Sequence, residues 1–398
     1  MIPRRLALVI AGMALAGCAT PSGSGASWFK GNTHCHTLWD NGDALPEVIA
    51  DGYRSRGYQF LVLSDHNEKN ALTGREKWID LPDPGLPEAL SRRFGPGWVR
   101  LREADGRRQI RLKTYEELRT FFDESGRFLL LPGQEIDDRI QGKLLHHNTL
   151  NCGSILPAPG GGSVREAMAR AIDSVESESV AAGRPAVIHL NHPNLGWAVS
   201  AEDLAAVERE RFFEVYSGHP AAKIAGDGAH PGTERMWDLV LSARLRAPGG
   251  RLLYGVATDD AHDYHGKGVS PPGRGWIMVR ATALDASALV RALEAGDFYA
   301  TTGVTLQELR ADSQGLAVRV AVESGSTPTI RFVGTRTGGE PGVVLREVKG
   351  SEAAYAFTGD ELYVRAVVLS DRPQPDPAFA GDLQKAWIQP VRGPAAAK

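Results

Sequence analysis

Short apolar runs alternate with helical periodicity over the first two thirds of the chain. Strand candidates are Tyr58 to Ser64, Phe128 to Leu131, Ala186 to Leu190, Phe212 to Tyr216 and Leu252 to Ala257. Between them, Ser163 with Glu166 and Ser200 with Asp203 fit the pattern of a capping hydroxyl followed three residues later by an acid. This β/α alternation predicts a barrel or a doubly wound sheet. From Lys69 to Gly126 the pattern breaks into a charged, Pro/Gly-rich stretch with one capped helix candidate, Thr114 with Glu117. It is expected to be an insertion that covers a site or decorates the periphery. Beyond residue 303 the pattern changes to period two, as in Leu316 to Val322 and Leu362 to Val368, separated by Gly/Ser/Pro turns. That predicts a sandwich-like antiparallel β domain over residues 304–398.

The amino-terminus follows a different logic. Arg4 and Arg5 precede an apolar run from Leu6 to Leu15 that ends in Leu15-Ala16-Gly17-Cys18. Such a run is too short to span a bilayer and reads as a signal peptide over residues 1–17. The Leu-Ala-Gly-Cys sequence resembles a bacterial lipobox. That resemblance implies a lipid anchor at Cys18, a flexible tether over residues 18–27 and, with Ala19 next, a periplasmic protein on the outer membrane. The membrane is then reached through the anchor alone.

Composition narrows the picture further. The chain has 398 residues and 42% hydrophobic content, enough for a large core. Its formal charge is −3, and loss of Arg4 and Arg5 with the signal makes it −5, so nothing suggests nucleic acid. With Cys18 lipidated, Cys35 and Cys152 remain, and both read as buried small side chains rather than a disulfide. Oligomeric state is not legible.

Chemistry is concentrated in one region, because all eleven histidines lie between His34 and His265. Nearly every strand candidate runs into a metal-type ligand at its carboxyl end: Asp65-His66, Glu135, His192, and Asp260-Ala261-His262. Ligands carried on such strand ends converge at one mouth of a barrel. His34-Cys35-His36 adds a pair that period-two geometry puts on one face. Mixed imidazole and carboxylate donors suit zinc, manganese or iron.

These motifs, His34-Cys35-His36-Thr37, Ser64-Asp65-His66-Asn67, Glu135 followed by a histidine, and Asp260-Ala261-His262, resemble the polymerase and histidinol phosphatase (PHP) superfamily of metal-dependent phosphoesterases. The resemblance covers about residues 28–303 and implies a distorted (β/α)7 barrel with two or three divalent ions. It places His34, His36, Glu135 and Asp260 around one ion, with Glu135 bridging to a second held by His146 and His192. His66 and His262 would hold a third. There the chain departs from the family, reading Asp40-Asn41-Gly42-Asp43, so that Asp43 or Asp40 is left to complete that site.

The remaining residues invite weaker readings. His146 rather than its neighbour His147 is expected to face inward. His189 is read as a neighbour of the ligands or as a core histidine, and His230 and His265 as loop residues. His219 is a candidate to protonate a leaving group, Asp65 and Asp259 to orient imidazoles, and Arg274, with Lys267 nearby, to hold an anionic substrate. The expected function is hydrolysis of a small phosphate ester by a metal-bridging hydroxide. The alternatives are a carboxylic or carbamate ester hydrolase, since some secreted PHP-like proteins resemble carbaryl hydrolases, and a non-catalytic envelope binding module.

Overall fold

The computed structural model describes residues 25–266, 269–322 and 324–396. The signal segment, Cys18 and Lys267 therefore lie outside the described residues. Among those described, no helix is long and apolar enough to cross a membrane.

The first strand, Ser27–Asn32, pairs parallel with Phe60–Val62, which pairs parallel with Leu129–Leu131. The chain then passes Pro132-Gly133 and re-enters as Glu135–Ile140, the start of a second sheet continued by Lys143–Leu150, Val187–Leu190, Phe212–Ser217 and Tyr254–Thr258. Two isolated parallel bridges, His66 to Glu135 and Cys35 to Ala261, stitch the sheets together at both seams. The strands thus follow one another around a ring, but as two sheets rather than a continuous closed barrel. The β/α alternation expected of a distorted (β/α)7 barrel is also interrupted at one place. Glu135–Ile140 and Lys143–Leu150 form an antiparallel hairpin with no helix between them. Gln141 and Gly142 both have positive φ, 52° and 81°, and the twist of such a turn matches that of the flanking strands.

Each strand candidate of this region is a strand, with ends shifted by one or two residues. The caps work as the spacing implies. Ser163 accepts from the Glu166 N–H at the start of the helix Val164–Ala182, while Thr114 and Ser200 form full capping boxes. The main core gathers Val62, Leu190, Phe213, Trp237, Leu241, Val256, Ile277 and Phe298 between the sheets and their helices.

The stretch from Lys69 to Gly126 contains a small antiparallel sheet and two helices, Leu86–Phe94 and Tyr115–Phe122. Leu90, Phe94, Leu118 and Phe122 join Ile49 and Tyr53 in a second core, making this segment a side wall. Its Tyr115–Phe122 helix leads directly into the strand Leu129–Leu131 and serves as the crossover of a β/α unit.

Past residue 303 the chain is antiparallel throughout. Its strands do not form a separate body, because Phe298–Thr301 pairs with Leu383–Arg392 and so continues the first sheet to nine strands across the boundary. A three-stranded sheet packs over Phe332, Val364, Val368 and Ile388, completing a sandwich.

Candidate metal centre

Most ligand candidates leave the carboxyl end of a strand or lie in the turn that follows it, while Glu135 opens the strand Glu135–Ile140 and His146 lies inside Lys143–Leu150. His34 Nε2 lies 3.4 Å from Glu135 Oε2 and 3.2 Å from Asp260 Oδ1. His36 Nε2 lies 3.2 and 3.4 Å from the same two oxygens. Four donors bound at about 2.0–2.1 Å to one tetrahedral ion would stand roughly 3.4 Å apart. The other oxygen of Glu135 is 3.0 Å from His146 Nδ1 and 3.5 Å from His192 Nε2, which makes a second nest. His66 Nδ1 approaches Glu135 Oε2 at 3.5 Å.

Three of these nitrogens, His34 Nε2, His36 Nε2 and His66 Nδ1, are buried without a hydrogen-bond partner. Each buried polar atom left unpaired costs about 1–3 kcal/mol, so three gathered around Glu135 Oε2 fit a cation site. The electrostatics agree. Burial alone would raise the Glu135 carboxyl, but the His34, His146 and His66 imidazoles outweigh it and hold the group well below its ordinary value. Burial likewise opposes charge on His34, yet Asp260, Glu135 and Glu214 lift it well above the usual histidine range. Protons are drawn to the place a divalent ion would take, so ion binding releases them and weakens as pH falls.

A layer of partners fixes the ligands. Glu214, fully buried, accepts from His34 Nδ1 at 2.6 Å and Thr258 Oγ1 at 2.6 Å on one oxygen, and from the His192 N–H at 2.8 Å on the other. Asp40 accepts from His36 Nδ1 at 3.0 Å and from the His66 N–H at 2.7 Å. Asn191 donates to Glu135 Oε1 at 2.8 Å and is itself tied to Asn148. His192 and Asp260 sit at positive φ, 24° and 48°, backbone strain of the kind that accumulates at functional sites.

Glu214 and Asn191 were not singled out from the sequence. Glu214 had a visible signal, an acid placed on the same face as Phe212 and Tyr216 in an otherwise apolar strand. Replacing it by glutamine turns an amide N–H toward one of the three donors. We expect ion affinity to fall about 10–100-fold, read by chelator competition; a change under threefold would remove Glu214 from this role.

Of the expected ligands, His34, His36, Glu135, His146, His192 and Asp260 are brought together, with His66 on one flank and His262 stacked on His36 at 4.1 Å on the other. Among the described residues no ligating trio contains both His66 and His262. Asp43 does not join them. Its N–H donates to the His262 carbonyl and its carboxylate accepts from the Tyr264 N–H, turning the side chain outward. The preceding Gly42 makes this turn possible, since a Cβ there would stand 2.4 Å from the His36 carbonyl oxygen.

Two catalytic candidates are displaced. Asp65 is completely buried and accepts from the Thr37 N–H and hydroxyl at 2.6 and 3.0 Å, so it braces the His36 turn and does not face the cleft. Arg274 donates to the carbonyls of Gly218, Val269 and Asp376 and to the Asp376 carboxylate, which ties the carboxy-terminal region to the rim and spends the guanidinium inside the protein. Asp259 accepts from Tyr53, Arg274 and Gly275 away from the cluster.

His219 stays at the rim, its ring 5.6 Å from His262, and its Nδ1 accepts the Ala221 N–H. Burial lowers its pKa, so the ring is neutral with its proton on Nε2. His147 faces Glu210 on the opposite side of its strand, and His189 lies in the core on Thr33 with its pKa pushed down to about 3 by burial. His230 stacks on Trp197 and His265 is an exposed loop residue. Cys35 and Cys152 are free and buried.

No family model matches the chain, and no curated protein matches it. Among solved structures, it is similar to a two-domain protein from Bacteroides vulgatus described as containing a predicted PHP-like metal-dependent phosphoesterase. The likeness has a TM-score of 0.44 at 14% identity, covering 94% of each chain. A candidate metal-dependent phosphoesterase from Bifidobacterium adolescentis is similar with a TM-score of 0.29 at 13% identity, covering 61% of this chain and 92% of that one.

Proposed function

We propose that the protein is a metal-dependent hydrolase of PHP type that cleaves small phosphate esters, anchored in the periplasm to the outer membrane through Cys18. One observation carries the hydrolase reading: Glu135 presents one oxygen to His34 and His36 and the other to His146 and His192, and the His34, His36 and His66 nitrogens that face it are buried without partners. Divalent manganese, zinc or iron held there supplies Lewis acidity toward ester oxygens and lowers the pKa of a water toward neutrality. The protein's own share is geometric. Glu214 and Asp40 lock the His34 and His36 rings with Nε2 inward. Asn191 holds the bridging carboxylate. His219 offers an Nε2–H donor at the rim, where charge builds on a departing or attacked oxygen.

The test uses signal-free protein supplied with manganese or zinc and offered phosphomonoesters and phosphodiesters. We expect turnover that a chelator abolishes and added metal restores; no turnover on any of them sinks the phosphoesterase reading.

A second reading, hydrolysis of carboxylic or carbamate esters at the same centre, is favoured by one feature: Arg274 is spent on carbonyls inside the protein and is not available to an anion. Comparing aryl phosphate with aryl ester turnover separates the two.

A further inference from the structure

The strand Phe212–Ser217 runs out at the rim into Gly218 and His219, and Gly218 is held by both of its backbone groups. Its N–H donates to the Thr258 carbonyl at 3.0 Å, and its carbonyl accepts from Arg274 Nη1 at 2.7 Å. The same nitrogen donates to the Val269 carbonyl at 2.6 Å. Val269 precedes Ser270, whose carbonyl accepts the His262 N–H at 2.9 Å. One guanidinium nitrogen therefore spans the two rim segments that carry His219 and His262, whose rings stand 5.6 Å apart.

The brace behind that nitrogen comes from the carboxy-terminal region. The strands Glu361–Pro373 and Leu383–Arg392 pair as a hairpin whose connection reaches back to the rim. Asp376, in that connection, accepts from Arg274 Nε at 3.0 Å through its carbonyl and from Nη2 at 3.3 Å through its carboxylate. Gln374 accepts from the Tyr216 hydroxyl at 3.2 Å, two residues before Gly218. A planar guanidinium holds several acceptors at fixed angles, which a lysine ammonium on its flexible stem does not.

Two constraints place the His219 donor. The local one sets its orientation: Nδ1 accepts the Ala221 N–H at 3.1 Å, which leaves Nε2 to donate. The long-range one sets where the ring stands, because the Gly218 carbonyl belongs to the peptide that carries His219. That peptide is packed tightly as well, since a Cβ on Gly218 would stand 2.7 Å from the Asp259 carbonyl oxygen and 3.0 Å from Arg274 Cβ.

We propose that Arg274 is a positioning residue for the reaction: through the Gly218 carbonyl it fixes the His219 Nε2–H beside the metal centre, and Asp376 brings the carboxy-terminal sandwich into that task. The inference rests on the phosphoesterase reading above and gives Arg274 a role other than holding substrate.

The experiment uses signal-free, metal-loaded protein and two substrates, phenyl phosphate and 4-nitrophenyl phosphate, the second with the better leaving group. The parent, Arg274→Lys, His219→Asn and the double variant are compared, with metal content and melting temperature read on the same samples. A displacement of about 1 Å costs on the order of 10²-fold in rate. Arg274→Lys is thus expected to lower kcat on phenyl phosphate about 10–100-fold, with KM within about twofold and a much smaller loss on 4-nitrophenyl phosphate. In the His219→Asn background the same substitution should change kcat less than about threefold, because two residues acting through one group do not add. Asp376→Ala, at a side chain 60% exposed, is the second variant should Arg274→Lys not fold. It is expected to lower kcat about 2–5-fold, and this loss too should vanish with His219→Asn. Equal factors in both backgrounds, a His219→Asn variant as active as the parent, or a loss that tracks metal content would overturn the role of Arg274 while the phosphoesterase reading stands. If the parent cleaves neither substrate, both fall.

Discussion

Glu135→Gln should reduce kcat/KM by at least about 10³-fold, some 4 kcal/mol of transition-state stabilisation, and should leave the protein with less than half its metal. The size of the effect follows from position. Its Oε2 is within 3.5 Å of His34, His36 and His66, and its Oε1 within 3.5 Å of His146 and His192. Its two oxygens thus divide between the two nests. The substitution is nearly isosteric, so packing is preserved, but the amide has one acceptor oxygen and no charge for two sites. It also turns an N–H either toward imidazole nitrogens or toward the Asn191 amide, which now donates to Oε1. Metal content by mass spectrometry and turnover on the same sample check this. Full metal occupancy with activity within tenfold of the parent would show that Glu135 does not bridge.

How such a centre can be read from a sequence depends on which interactions are local. His34 and His36 share a face because the strand period is two, and His66, Glu135, His192 and Asp260 follow apolar runs that can scarcely be anything but buried strands. The helix caps are equally local, each a contact across three residues. The parts that were not legible are contacts between distant segments. Glu214 reaches His34 across 180 positions, and Asn191 reaches Glu135 across 56. Nothing in either local pattern names the partner. Arg274 misled for a related reason: its Gly/Pro loop looks exposed, but a carbonyl and a carboxylate of Asp376, 102 positions away, close over it.

The hairpin at Gln141-Gly142 was missed because the central pair lacks the Asn-Gly or Asp-Gly signature of its turn. Its consequence for the site is direct. The antiparallel return sets Asp137 opposite His146 and Ile136 opposite His147. That register is why His146 faces Glu135 and Asp137 while His147 turns to Glu210 on the other side.

The shared sheet also sets what holds the molecule together, and Asp238→Ala tests it with the largest expected effect on stability. Asp238, on the helix Thr233–Leu245, receives a bidentate pair from Arg365 in the carboxy-terminal region, Nε to Oδ1 at 2.8 Å and Nη2 to Oδ2 at 2.7 Å. The Tyr363 hydroxyl donates to Oδ1 as well, at 2.8 Å. Both charged side chains are buried, 2% and 5% exposed. Burial opposes charge on Arg365, but Asp238 more than compensates and raises its pKa further above the ordinary arginine value. Removing the carboxylate leaves a buried guanidinium against the Trp237 ring without its paired charge. Breaking a buried pair from one side costs about 3–5 kcal/mol, whereas replacing both partners with apolar side chains of similar volume is often close to neutral. Denaturant unfolding should therefore show a loss of about 3–5 kcal/mol for Asp238→Ala and recovery of much of it in Asp238→Leu combined with Arg365→Met. Because the strands Phe298–Thr301 and Leu383–Arg392 are hydrogen-bonded across the boundary, the loss should appear in one transition that takes both regions together. A cost below about 1 kcal/mol, the range of an exposed pair, or two separate transitions with the first confined to the carboxy-terminal strands, would show that this pair does not couple the sandwich to the metal-bearing ring.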